Sequence, residues 1–537
     1  MRLGCSRASS QRTRTPNRSH YPFCLIPAHP FSILVNSTMD ELRSLCEVPT
    51  LGDTSSKYQQ VNDSLPARTP NTDQLTRNQN YTLQIQANLA KISLLLDTTP
   101  DLLASEELQT YLTTILHPPH SLLPAEQYFQ EDDSKGEPTR DQTTWHPFHR
   151  ASEKALMLLR SSLSLTPSPP AERPKIAITA ITYADLADPW TSPASYHLST
   201  AIRSSNQELT SAQTLTAILT TTIKPLFKSP LTPASRPPQR ESTNKGAALH
   251  TPTWPRELPQ AITLLSYITA HLSTGTLESA WPLLIPPLLS IHDSTNPEHK
   301  ISASNLLSAL LPKLPNGLLV RTGLAEVLRD ALIPDLILLP PLTPTRYSIP
   351  LLQVTYKVLR TLARISTTNN RPQAEQLDAI FRNGIVRGFT FAGENARIAE
   401  ELMRQICALV ADMGVYAVRH LGDLVQIFGT VLGDPFVGLA QDLLDATLDA
   451  VEAVIGVCWV RICGYVPEML KATTSCYGAV CGGGDEKGEV GVVDRLKKIT
   501  SILRAVMAAE KREVEMAELE ENIAQADGRL AGLFVSG

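Results

Sequence analysis

The sequence predicts an all-α protein, folded as an α-solenoid of HEAT- or armadillo-like antiparallel helix pairs. Aromatic residues make up only 5% of the 537 residues while leucine and alanine are abundant, which favours helix packing over a β-sandwich. Between 281 and 364, apolar residues recur at the three- and four-residue steps of a helix surface. The inferred pairs begin near 282, 323, 374 and 415, and units of about 40 to 50 residues must stack because each is too small to bury its own apolar face.

Four apolar stripes predict the helices of this block in order. Each stripe places residues three, four or seven positions apart, so that one side of the helix is apolar. The stripes are Leu284, Leu288 and Ile291; Leu307, Leu310, Leu311 and Leu314; Leu324, Leu328, Ala331 and Leu332; and Leu351, Val354, Val358 and Leu362. Lys357, Arg360 and Arg364 point away from the last stripe, which predicts a solvated basic face.

Composition divides the rest of the chain. We predict an N-terminal helical region with loops at 39–228, a disordered Ser/Thr/Pro-rich linker at 229–253, the HEAT-like core at 254–457 and a C-terminal helical region at 458–537. An apolar stripe that begins at Leu496 is expected to cover the apolar face of the last repeat. Docking of that stripe on a partner helix is the alternative.

Residues 1–38 carry five arginines and no acidic residue. This composition is typical of a mitochondrial transit peptide. A helix-compatible sequence with acidic residues begins abruptly at Met39, however, which favours a reading frame extended upstream of the true start. We therefore expect 1–38 to be disordered or not translated, with translation beginning in effect at Met39.

Two local strings stand out in the core: RTGL at Arg321 to Leu324 and LPPLTP at Leu339 to Pro344. Together with the runs around them, they resemble the core of the Tel-two-interacting protein two family. The runs are WPLLIPPLLSIHD (281–293), HKISASNLLSALLPKL (299–314), LLVRTGLAEVLRDAL (318–332) and SIPLLQVTYKVLRTL (348–362). The resemblance covers 281–364, with weaker helical similarity on toward Val457.

This resemblance implies the smallest subunit of the Tel–Tti–Tti (TTT) co-chaperone complex. Such a protein is a non-catalytic scaffold that joins the Tel and Tti subunits. With the heat-shock-protein-ninety chaperone system, it supports the folding, stability and assembly of phosphatidylinositol-kinase-related kinases of the TOR, ATM and ATR type. Its implied location is cytoplasmic and nuclear. The alternative is a HEAT-repeat adaptor in nuclear transport or ribosome assembly, which a sustained ladder of basic residues on the inner helices would favour; the sequence shows none.

The two strings supply the candidate partner-binding residues: Arg321, Thr322, Gly323, Pro340, Leu342, Thr343 and Pro344. Arg321 is expected at the start of a helix, where its planar donors would hold either a partner carboxylate or neighbouring groups as an inter-repeat brace. Thr322 and Thr343 are expected to cap the helices that follow them. The prolines either belong to a contact surface or stiffen the connection between two helices.

Catalytic signatures are missing from the sequence, including G-x-S-x-G, G-x-x-x-x-G-K-[ST], H-E-x-x-H and the kinase set, so we predict neither an enzyme nor a cofactor. Cys458, Cys463, Cys476 and Cys481 have the spacing C-x4-C-x12-C-x4-C, which invites a zinc site. A helix would place the first two on different faces, so we expect no metal. The histidines of HPFH at 146–149 are interpreted as loop residues because a proline separates them.

The charge balance gives no general attraction to nucleic acid, since the net charge is -5 and the pI is near 6.2. Charged residues and prolines interrupt every apolar stretch before it reaches the roughly 18 to 20 residues that cross a bilayer. We therefore expect protein partners, with no nucleic acid and no membrane.

Overall fold

The computed structural model describes residues 72–98, 100–119, 142–165, 173–227, 254, 258–315, 317–366, 370–481 and 486–534. The predictions for 1–38 and for the linker at 229–253 fall outside the described residues. Within the described part, every regular element is a helix, and the chain is the all-α solenoid that its apolar periodicity predicts.

The described helices before the linker are α1 (Thr72–Thr98), α2 (Glu106–Ile115), α3 (Gln142–Leu165), α4 (Arg173–Thr182), α5 (Pro193–Ser205), α6 (Ala212–Ile218) and α7 (Lys224–Leu226). Those of the following units are α8 (Ala261–His271), α9 (Thr274–His292), α10 (Pro297–Leu310), α11 (Leu318–Thr322), α12 (Leu324–Leu332), α13 (Thr345–Ser366), α14 (Asn370–Ile380), α15 (Arg387–Ala392), α16 (Ala396–Met413), α17 (Leu421–Leu432) and α18 (Gln441–Ile462). The chain ends with α19 (Val466–Cys481), α20 (Glu486–Ala509), α21 (Glu513–Ala526) and α22 (Ala531–Phe534).

The helices from α9 onward form two layers. In the first layer, α10, α13, α16, α18 and α20 pack side by side in chain order. The helices that alternate with them in sequence, namely α9, α12, α14 with α15, α17 and α19, pack against the first layer from one side. This is the arrangement of stacked antiparallel pairs, in which each unit buries its apolar face on its neighbours.

Polar contacts between consecutive units recur at one repeat length. Asn395 contacts Thr345, Glu401 contacts Gln353 and Asp412 contacts Arg360, at separations of 50, 48 and 52 residues. Because the order of these contacts is the same along both helices, α13 and α16 run parallel. The separations agree with the predicted spacing of about 40 to 50 residues.

Parallel stacking gives the solenoid two edges. The connections at 293–296, 333–344, 393–395 and 433–440 all lead into a first-layer helix, so they lie along one edge. The connections that leave the first-layer helices, such as 311–323 and 414–420, lie along the opposite edge. Each of these connections is thereby assigned to one edge of the solenoid.

The predicted stripes are buried, except that Leu324 and Ala331 on α12 are half-buried. Leu284, Leu307, Leu328 and Leu351 are all at most 1% exposed. The predicted basic face on α13 is wrong for one member, because Arg360 donates through Nε to Asp412 Oδ2 on α16 at 2.5 Å and is only 21% exposed. Periodicity places a side chain off the apolar stripe but cannot show that a neighbouring unit packs there too.

The interpretation of HPFH as loop is also wrong, since residues 146–149 lie within α3. Pro147 is the sixth residue of α3 and lies inside the helix, so one i→i−4 backbone hydrogen bond is missing there. Trp145 and Phe148 bury their rings in the core and hold the helix in place. His149 Nε2 lies 2.9 Å from the carbonyl O of Pro189, an interaction within the fold.

The two ends of the core are closed by the chain itself. On the N-terminal side, Trp254 is buried, with its ring stacked on Phe227 and tilted 4.9 Å from the ring of His299. On the C-terminal side, the stripe that begins at Leu496 is buried because α20 packs on α18 and α19. The chain's own last units therefore cover this stripe, as predicted.

No described helix has the length and apolar character needed to cross a membrane.

Candidate partner-binding site at the RTGL and LPPLTP motifs

The RTGL motif forms a sharp junction between two helices. Helix α11 ends at Thr322, α12 begins at Leu324, and Gly323 between them adopts φ 67°, in the left-handed region. A residue with a Cβ is strained in that region, so glycine is required for the turn rather than for a ligand. The predicted cap is wrong: Thr322 Oγ1 donates back to the carbonyl O of Leu318 at 2.9 Å, and Gly323 occupies the position before α12.

The sequence predicted Arg321 at the start of a helix, but it lies in the last turn of α11. Its Nη2 donates to Glu278 Oε1 on α9 at 3.0 Å, across 43 residues, so the expected inter-repeat brace exists. Both side chains are largely exposed, at 67% and 47%. Such a pair contributes about 0 to 1 kcal/mol to stability, and the guanidinium stays accessible from solvent.

The LPPLTP motif is a compact connection that presents one apolar side chain. Leu339 and Thr343 are buried while Leu342 between them is 83% exposed. The hydroxyl of Ser348 lies 2.9 Å from the carbonyl O of Leu338 and 3.0 Å from that of Thr343, so it ties both ends of the connection together. The exposed leucine therefore sits on a well-supported loop.

The predicted cap at Thr343 is wrong by one position. Helix α13 begins at Thr345, and the carbonyl O of Pro344 accepts the N–H of Ser348 at 3.0 Å, so Pro344 occupies the cap position. Thr343 instead closes the loop through its N–H, which donates to the carbonyl O of Leu339 at 3.1 Å. Pro340 is partly buried and Pro344 is buried, which fits the stiffening role considered for the prolines.

A buried polar cluster anchors the connection 333–344 through Asp335. Asp335 is 2% exposed; its Oδ2 lies 2.6 Å from His292 Nε2, and its Oδ1 lies 3.4 Å from Lys300 Nζ. Lys300 also donates to the carbonyl O of His292 at 2.8 Å. Sequence reasoning missed these three residues. The signal was an acid in the apolar run LIPDLILL, since a carboxylate in such a setting is buried only when it is paired.

The seven candidate residues do not form one site. The RTGL residues precede α12 and the LPPLTP residues follow it, so the two groups lie on opposite edges of the solenoid. At 1.5 Å per residue, the nine residues of α12 separate them by about 13 Å along its axis. Each group can contact a partner only from its own edge.

The four cysteines considered for zinc are distributed between core and surface. Cys458 and Cys476 are buried, Cys463 is half-buried and Cys481 is exposed. Burial raises the pKa of the Cys458 thiol to about 11 and that of the Cys476 thiol to about 12. Among the residues that the structure describes, no group of three His, Cys, Asp or Glu side chains is placed to hold a metal ion.

The chain is similar to several solved structures. They include Kap95p with RanGDP (10% identity, TM-score 0.40, covering 91% of this chain and 61% of that chain) and Kap121p bound to Ste12p (9% identity, TM-score 0.36, covering 92% and 47%). A third is SYS-1 (10% identity, TM-score 0.35, covering 94% and 82%). The chain thus spans 61% and 47% of the length of the first two. At these values the similarity carries no functional argument.

A family match covers the units that carry both motifs. The sequence model of the Tti2 family matches residues 176–439, which include RTGL, LPPLTP and the buried cluster around Asp335. The match therefore coincides with the region in which the motif resemblance lies. The chain belongs to the Tti2 family.

Proposed function

We propose that this protein is a scaffold subunit of the TTT complex that supports the folding, stability and assembly of phosphatidylinositol-kinase-related kinases. In this role it binds the Tel and Tti subunits and works with the heat-shock-protein-ninety chaperone system, in the cytoplasm and in the nucleus. The kinases of the TOR, ATM and ATR type are its clients. The observation that carries the proposal is the Tti2 match over 176–439.

The geometry of the matched region suits a binding function. Leu342 stands 83% exposed on a tied loop, and Arg321 is accessible beside Glu278. Stacked helical units present such residues along an extended surface, which is how solenoids engage large partners. The Tti2 match gives no support to an adaptor of nuclear transport or ribosome assembly, and the similarity to Kap95p and Kap121p is too low to carry that role.

The proposal is tested by depleting the protein and measuring kinase amounts. Several phosphatidylinositol-kinase-related kinases should fall several-fold together while their messenger RNAs stay constant, because large clients expose apolar surface until they fold and are degraded when unshielded. Re-expression of the wild-type chain is the control and should restore the kinases. The tagged chain should also co-purify with Tel and Tti subunits. Normal kinase amounts, with neither subunit recovered, would refute the proposed role.

A further inference from the structure

The connection between α17 and α18 exposes two large apolar side chains side by side. Phe436 is 71% exposed and Leu439 is 86% exposed; Phe436 directly precedes the 3₁₀ turn Val437–Leu439, and Leu439 is its last residue. We call residues 434–442 the edge loop. It lies on the same edge as Leu342, two units further along the solenoid.

The edge loop has a fixed shape. Val437 between the two exposed residues is buried and anchors the turn in the core. Asp434 Oδ1 accepts the N–H of Phe436 at 2.8 Å, and the N–H of Leu439 donates to the carbonyl O of Phe436 at 2.9 Å. An apolar surface held in one conformation loses little conformational entropy when a partner covers it.

The surroundings of these apolar side chains are acidic. Residues 421–460 contain six Asp or Glu and no Lys or Arg. Three of the six, on α18, pair with Arg495 or Lys498 of α20. Asp434 and Asp442 are the first and last residues of the edge loop. Both are exposed, and within the described part of the chain neither carboxylate forms an ion pair. The surface thus combines apolar contact with uncompensated negative charge.

The opposite edge differs in charge. Val415 is exposed there to the same degree as Phe436, at 71%, and the exposed Arg419, four residues later, pairs with Asp378. Exposed apolar residues alone therefore do not distinguish the edges. The unpaired carboxylates of Asp434 and Asp442 distinguish the edge loop, and they disfavour phosphate-bearing partners such as nucleic acid or an anionic membrane there.

We propose that the edge loop docks an amphipathic segment of a Tel or Tti subunit whose apolar side chains are flanked by Lys or Arg. This inference rests on the proposed function. Phe436 and Leu439 would form the apolar centre of the contact, and Asp434 and Asp442 would select the basic flanks at its rim. Apolar centres carry most of the affinity of such contacts, whereas rim charges set salt dependence and partner choice.

The test uses the full chain and purified Tel and Tti subunits, with dissociation constants measured at about 50 mM and about 500 mM salt. Phe436→Ser with Leu439→Ser should weaken binding at least tenfold at both salt concentrations. Val415→Ser is the matched control and should bind as the wild type does. Both edge residues are exposed, so circular dichroism should show unchanged helix content.

A second variant isolates the charge. Asp434→Asn with Asp442→Asn keeps the oxygen acceptor for the N–H of Phe436 and removes both charges. It should weaken binding at low salt and match the wild type at high salt, because screening already removes the attraction there. Wild-type binding that the edge variants leave unchanged would overturn the inference and leave the proposed function standing. Failure of the wild type to bind either subunit would overturn both.

Discussion

Acid should destabilise the start of the core through His299, and the size of the effect can be worked out from its surroundings. His299 lies on α10, with its ring 4.9 Å from Trp254 and its Nδ1 2.9 Å from Ser294 Oγ. Burial of the ring lowers the pKa of His299 from 6.5 to about 4, because the charged form loses hydration. The folded protein therefore favours the neutral imidazole of His299.

The sign of the effect follows from the lowered pKa. Above about pH 6.5 the imidazole is neutral in both the folded and the unfolded chain, and its contribution to stability is fully present. Between pH 6.5 and about 4 the unfolded chain binds a proton that the folded protein does not, so stability falls as the pH falls. With 1.36 kcal/mol for each pKa unit, the loss is about 1.4 kcal/mol at about pH 5.5 and about 2.6 kcal/mol at about pH 4.5.

The assay compares the pH dependence of unfolding in the wild type with that in two neutral replacements, His299→Gln and His299→Phe. Urea titrations at about pH 7.5, 5.5 and 4.5 give the free energy of unfolding of the unit that contains α10. Burial also lowers the pKa of His149 and His420, but these residues are present in all three proteins and cancel in the difference. The two replacements pack differently against Trp254, so their absolute stabilities should differ while their pH dependence should agree.

From about pH 7.5 to about pH 4.5, the free energy of unfolding of the wild type should thus fall by about 2.6 kcal/mol relative to that of each replacement. Parallel curves over this interval would show that His299 titrates equally in the folded and unfolded chain. That result would refute the claim that burial against Trp254 removes water from the ring of His299.

Two further variants address Arg321 and Asp335. Arg321→Glu should reduce co-purification of the Tel and Tti subunits while changing the free energy of unfolding by less than about 1 kcal/mol. Adding Glu278→Arg to this variant should not restore binding. Recovery of binding in the double variant would show that Arg321 acts only through its ion pair with Glu278. Asp335→Ala should destabilise the protein by about 3 kcal/mol or more in urea denaturation, since it removes the carboxylate that pairs with the buried His292 and the half-buried Lys300. The exposed control Asp330→Ala should change stability by less than about 0.5 kcal/mol, and equal effects would contradict the burial argument.

The position of the candidate site along the sequence could be predicted more fully than the geometry of its residues. RTGL and LPPLTP identified the family region. Leu342, a candidate from the second motif, is exposed, and its role in partner binding stays a prediction. The roles of Thr322 and Thr343 were assigned wrongly because a cap depends on where the helix begins, and two glycines with positive φ set that point around α11. Residues 434–442 carried no motif, so only their exposure drew attention to them.

The sequence by itself determined the helical class, the apolar stripes and the repeat length, because burial on one side of a helix requires a periodicity that any window of the chain displays. It also predicted that the stripe at Leu496 docks on the chain's own last units. Only the tertiary structure decided which charges are paired. Arg360 meets Asp412 and Asp335 meets His292 across 52 and 43 residues, and such contacts depend on how consecutive units stack, which no local pattern encodes.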